Sequence, residues 1–141
     1  MGCEKRFEVD IDGNVRTKTI NLECSTLTIE AYCVSRVFFY ITISNEPKGE
    51  QPCTVLFYPD LLNIIFKNTK IPYESIADKN DRTKSILDNP IDFGKHKAFV
   101  ISFHINDPLP QKGDTIMLED MGYLYSQGKR IEIGDIIITI K

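Results

Sequence analysis

The chain reads as all-β, most simply as an antiparallel immunoglobulin-like β-sandwich of about eight strands. Three observations predict this. Apolar and polar residues alternate with a period of two along nearly every apolar segment, the spacing that sends successive side chains to opposite faces of a sheet. Turn-forming residues such as Asp12-Gly13, Pro59-Asp60, Gln127-Gly128 and Gly134-Asp135 interrupt that alternation at short intervals. No amphipathic helix pattern of ordinary length is present. A small barrel is the alternative closure of the same strands. With 141 residues, 42% of them hydrophobic, the chain fits one domain with a real core. We assign residues 1–5 to an N-terminal tether and 6–141 to a single sandwich domain.

Taken in order, Phe7, Val9 and Ile11 of "FEVDI" share one face, and Asp12-Gly13 reads as a hairpin turn because glycine accepts positive φ. "VRTKTINLE" continues with β-branched residues between charges. In "VFFYITIS", Val37, Phe39, Ile41 and Ile43 form an apolar face, which makes it the best central strand. "NEPKGEQP" at 45–52 is a polar turn-rich loop. "CTVLFY" at 53–58 is a strand; "LLNIIFKN" at 61–68 could be a turn of helix, but Ile64, Ile65 and Phe66 with the following "NTK" turn favour a strand. Residues 74–94 lack the period of two and read as a long loop, or a loop with one short helix near 82–87. "KAFVISFHI" puts Phe99, Ile101, Phe103 and Ile105 inward. After the Pro-containing turn 106–114, four short strands follow: "TIMLED", "GYLYS", "KRIEI" and "DIIITIK". The inward phase changes from odd (Ile131, Ile133) to even (Ile136, Ile138, Ile140) across Gly134, as a glycine bulge or short turn would produce.

Composition excludes several classes. A net charge of −3 argues against a nucleic-acid binder and against a polybasic membrane-surface protein. No apolar run approaches the ~20 residues that span a bilayer as a helix. There is no phosphate loop and no dinucleotide fingerprint, so no cofactor is expected.

Cys3 is the most informative single residue. "GCEKRF" resembles the cleavage junction of a small lipoprotein of the Bacteroidetes type, where glycine precedes the cysteine that becomes lipidated. That resemblance rests on Gly2-Cys3 and the all-β pattern, and no apolar leader precedes Gly2. It implies a lipid on the Cys3 thiol and an extracytoplasmic membrane face, the periplasm or the cell surface. An acylated "MGC" start is a second reading, although Arg6 stands where the myristoylation pattern wants Ser or Thr. An ordinary cysteine in a cytoplasmic protein is the third. Cys24, Cys33 and Cys53 carry no CxxC spacing, so a zinc site is not expected. If Cys3 is lipidated they allow one disulfide at most, with Cys24 paired to Cys33 or to Cys53.

The remaining candidates are weaker. "DIDGN" has its glycine too early for a calcium loop. Asp78, Asn80 and Asp81 in "DKND" cluster oxygen atoms within the long loop and are candidate ligand-binding residues, against a plain solvated loop; no metal is expected. His96 and His104 lie too far apart along a strand to share a metal. Ser102 and His104 face the same way but about 7 Å apart, too far for a nucleophile–base pair. Outward tyrosines, Tyr123 and Tyr125 first, with Tyr58 and Tyr73 at loop edges, are candidates for a flat platform that binds sugar or peptide. The expectation is therefore a non-enzymatic interaction module with a protein or glycan partner, no nucleic acid and an open oligomeric state. A structural assembly subunit is the alternative, since "DIIITIK" would expose an edge if unpaired. A hydrolase with scattered catalytic residues is the weakest.

Overall fold

A computed structural model describes residues 6–7, 9–15, 17–34, 38–49, 54–59, 62–105, 110–119 and 123–141, with residues 6, 7, 14, 15, 33 and 34 described by their backbone. The structure is all-β: among the described residues 62% lie in strands, there is no helix, and all pairing is antiparallel. The strands are β1 (Arg6–Phe7), β2 (Val9–Ile11), β3 (Asn14–Val15), β4 (Thr17–Asn21), β5 (Ser25–Val34), β6 (Phe38–Pro47), β7 (Val55–Tyr58) and β8 (Asn63–Phe66). They continue with β9 (Thr69–Pro72), β10 (Ser75–Asp78), β11 (Ile91–Asp92), β12 (Ala98–His104), β13 (Thr115–Glu119), β14 (Tyr123–Ser126), β15 (Lys129–Glu132) and β16 (Ile136–Ile140).

These form three sheets. Sheet I has the order β1-β5-β6-β12-β10, with β4 also on β5. Sheet II runs β3-β2-β16-β13-β8-β9, and sheet III runs β11-β7-β14-β15. Among the described residues none closes into a barrel, so the barrel alternative finds no support. The strands exceed the expected eight because the chain leaves one sheet for another in mid-segment. "FEVDI" is divided between β1 of sheet I and β2 of sheet II, and the break at Gly134 (φ +77) carries the chain from β15 of sheet III to β16 of sheet II. That phase change is a crossing between sheets, which glycine permits because it has no Cβ to oppose positive φ.

β6 lies at the centre of sheet I, and Phe39, Ile41 and Ile43 are fully buried on its inner face. Phe99, Ile101 and Phe103 of β12 stand beside them. Phe57 of β7 meets Phe99 at 5.6 Å between ring centroids, so sheet III packs on the inner face of sheet I. Val9, Ile11, Ile64, Phe66, Ile116, Leu118, Ile136, Ile138 and Ile140 of sheet II join the same apolar cluster. Burial of this kind supplies the main drive to fold, at roughly 25 cal/mol per Å² of apolar surface.

Two sequence expectations are corrected, and two more are sharpened. β6 continues to Pro47, because Ser25–Leu27 offer partners to its last three residues, so the loop begins three residues later than residue 45 suggested. The 74–94 segment is neither a plain loop nor helical. It contains β10 and β11, and Ser85 bridges Ala77. Residues 67–68 form a hairpin turn into β9, with Lys67 and Asn68 both at positive φ. β16 is an interior strand between β2 and β13, so "DIIITIK" exposes no edge.

Candidate functional site

Asp78, Asn80 and Asp81 do not gather as ligands. Asp78 ends β10, and its Oδ1 accepts the backbone N–H of Asn80 (2.8 Å) and of Asp81 (3.2 Å). Asp81 Oδ1 accepts the Thr83 hydroxyl (2.5 Å) and the Thr83 N–H (3.1 Å), and these bonds hold its carboxyl below the usual range. The carboxylates shape successive Asx turns instead of converging on a cation. Among the described residues no group of three or more His, Cys, Asp or Glu side chains could hold a metal. The turn instead delivers Arg82 to the outer face of sheet I. Its guanidinium lies 4.8 Å from the Tyr40 ring centroid and donates to the Tyr32 hydroxyl. Thr42, Ala77 and Val100 are buried on that same outer face.

The tyrosines form a different structure from the expected platform. Leu124 and Phe57 turn inward, so Tyr58, Tyr123 and Tyr125 stand on the outer face of sheet III. Tyr58 and Tyr123 are register partners whose rings stack at 4.5 Å and 10°. That spacing is close to the separation of neighbouring strands, so the rings stand upright on the sheet and face each other. Arg130 of β15 covers the other face of Tyr123, with its guanidinium 3.8 Å from the centroid and its Nε 2.5 Å from Glu132 Oε1. Both faces of Tyr123 are therefore occupied within the molecule. Tyr125, 40% exposed, stands beside this ladder. The Asp78–Asp81 turn covers sheet I on the opposite side of the molecule, so the two expected groups do not come together.

The structure brings other residues together at the free edge of sheet I. A cleft of about 360 Å³ opens between β10 and the segment 85–89. This is within the ~300–1,000 Å³ typical of ligand sites. Its apolar base is Ile76 and Ile86, both buried and joined by a hydrogen bond from Ile86 N–H to Ile76 C=O (2.8 Å). Pro59, Tyr73 and Leu87 add apolar surface, and Glu74 and Asp88 add carboxylates. Leu87 is 89% exposed, the most exposed large apolar side chain described. Asp88 accepts from His96 Nε2 (3.0 Å), and Lys95 Nζ lies 3.5 Å away. The His96 hydrogen bond is the main reason its carboxyl sits below the ordinary range. Among the described residues no Lys or Arg lines the cleft. Sequence reasoning chose the segment but not Leu87, Asp88 or Glu74. The one available signal was a leucine set beside Asp-Asn-Pro in an otherwise polar stretch.

A second cleft, about 440 Å³, is lined by Thr26, Thr28, Ser44, Asn45, Glu46 and Lys97 and carries no large exposed apolar side chain. His104 packs on Phe38 at 5.0 Å, and among the described residues no hydrogen bond joins it to Ser102. Cys24 is disulfide-bonded, and its Sγ lies 3.7 Å from Ser126 Oγ. Cys3 and Cys53 lie outside the described residues, as does the side chain of Cys33. No helix among the described residues is long and apolar enough to cross a membrane.

Comparison with known proteins found no matching family model, no matching curated protein and no matching solved structure.

Proposed function

We propose that the protein is an extracytoplasmic binding module with an immunoglobulin-like sandwich, tethered to a membrane through Cys3. The cleft beside β10 takes a segment of a partner protein that carries basic and apolar side chains. The cleft's composition is the observation that carries this reading. Burying a leucine as exposed as Leu87 against a partner gains about 2 kcal/mol. Glu74, with no Lys or Arg among the described lining residues, favours a positively charged group, while Asp88 already pairs with His96 and Lys95. A glycan is less well matched, because the upright Tyr58–Tyr123 pair offers ring edges and hydroxyls where sugar stacking uses open faces. The disulfide at Cys24 supports an oxidising compartment, where such bonds persist.

The test is retention of the protein on an array of defined hexapeptides and, in parallel, on a glycan array. The reading expects peptides that place Lys or Arg beside Leu, Ile or Phe to retain it. Leu87→Asp and Glu74→Lys should each weaken that retention at least ~10-fold, about 1.4 kcal/mol. Retention by glycans alone, or peptide retention unchanged in both variants, would overturn it.

A further inference from the structure

Sheet II carries an apolar row on the face turned away from the core. Ile136 and Ile138 of β16, Ile116 and Leu118 of β13, and Ile64 and Phe66 of β8 are all buried inward. Successive strand residues alternate between faces, so Ile137, Met117 and Ile65 stand outward. The registers set them side by side: Ile137 is the partner of Met117, and Met117 is the partner of Ile65. Ile137 is 50% exposed although β16 is an interior strand. A solvated sheet face is ordinarily polar at such positions, as Thr115, Thr139 and Asn63 beside the row are.

The row gains one charged residue at each end. Asp12 lies beside Ile137: its N–H donates to the Ile137 carbonyl (2.7 Å), and its Oδ1 accepts from Ile137 N–H (2.9 Å). Lys70 of β9 is the register partner of Ile65. Across the sheet the order is therefore Asp12, Ile137, Met117, Ile65, Lys70. It is symmetric about Met117 in size and reversed about it in charge. A two-fold axis lying in the contact plane along β13 sets Ile137 of one copy on Ile65 of the other. The same axis sets Met117 on Met117 and Lys70 opposite Asp12. Self-complementarity of this kind is what an isologous contact requires. We propose that a second copy of this chain covers the row, giving a face-to-face homodimer.

The charges around the row suit a like copy. Lys70 pairs with Glu119 (3.0 Å), Asp12 with Lys18 (2.9 Å) and Asp10 with Lys141 (3.0 Å). Covering these pairs leaves no buried charge unpartnered. A strongly acidic or basic partner finds no opposite net charge here, whereas a second copy finds a lysine edge facing an aspartate edge. Glu119 approaches its own mate across the axis, and Lys70 neutralises each. Three apolar side chains per copy make a small contact, and interfaces under ~1,200 Å² are weak. The contact closes with two copies, so it builds a dimer and no fibre. It depends on neither the tether nor the cleft.

The experiment is sedimentation equilibrium of the full chain, unreduced, from about 10 μM to about 1 mM, the span that weak complexes occupy. The expected result is a mass that rises from one chain toward two. Ile137→Glu should raise the dissociation constant at least ~10-fold, while the volume-conserving Ile137→Leu should leave it within about 3-fold. Lys70→Ala should weaken the dimer by exposing the two Glu119 carboxylates to each other, and Glu119→Gln in the same chain should restore part of the loss. A second readout needs no variant. In a mixture of isotope-labelled and unlabelled chains, the Met117 methyl should show an intermolecular NOE to Ile65, Ile137 or Met117. A single-chain mass up to ~1 mM, a dimer that Ile137→Glu leaves unchanged, or a dimer without that NOE would overturn the proposal.

Discussion

The tyrosine ladder of sheet III and the cleft beside β10 both present aromatic and charged side chains to solvent, yet they differ in how fully those groups are already partnered. On the ladder, Tyr58 and Arg130 enclose Tyr123, and Glu132 holds Arg130. At the cleft, His96 and Lys95 hold Asp88, but Leu87 projects with 89% of its surface exposed. The ladder stabilises its own sheet, as cross-strand pairs do. The cleft has contacts still to make. Surface exposure alone does not separate the two; internal partners do.

The largest expected effect is shared by both regions. Phe57→Ala beneath the ladder removes a fully buried ring from the contact with Phe99 and should cost about 3–5 kcal/mol in denaturant melts. A loss under ~1 kcal/mol would mean that sheet III is not anchored on sheet I. Tyr123→Ala should cost less, about 1–2 kcal/mol, from one stacked pair and one cation–π contact. A neutral result there would make the ladder as uncommitted as the cleft and break the comparison.

The cleft predicts smaller stability effects. The Asp88 carboxyl is held below its ordinary range chiefly by the hydrogen bond from His96. Because its folded value is depressed, the stabilisation it gives is present above the ordinary carboxylate pKa and is lost as pH falls through the lowered one. Carboxyl-carbon NMR titration should therefore show Asp88 titrating at higher pH in His96→Ala than in the parent. An unchanged titration would show that His96 does not hold this wall. Leu87→Asp should change stability by no more than ~0.5 kcal/mol, since the side chain is exposed. A loss of several kcal/mol would show that Leu87 is a packing residue and sharpen the case against the cleft.

Much of the frame was legible because one-sided burial writes itself as alternation. Phe39, Ile41 and Ile43 show the period of two, and Asp12-Gly13 and Gln127-Gly128 mark turns whose φ values are positive at both residues. β10 was illegible for a physical reason. Its neighbours Ile76 and Ala77 are both buried, one on the core face and one on the outer face, where Thr42 and Val100 are buried too. Burial on both faces erases the period. The turn after Phe66 was legible, but β9 beyond it was not, because Thr69–Pro72 buries only Ile71, and that partly, and so shows no apolar alternation. The tyrosines were correctly placed on the outer face, but only the register could show that they stand upright in a stack. Leu87 was unreadable because its exposure depends on Ile86 bonding back to Ile76, a contact no local pattern encodes.

The proposal to test first is that this is a lipid-tethered, oxidised module working outside the cytoplasm. The most direct measurement is the intact mass of the protein isolated from its native host, before and after reduction. The expected result is a chain that begins at Cys3, carries a lipid increment there, and gains two hydrogens on reduction. A chain that begins at Met1 or Gly2, carries no lipid, and has all four cysteines as free thiols would contradict it.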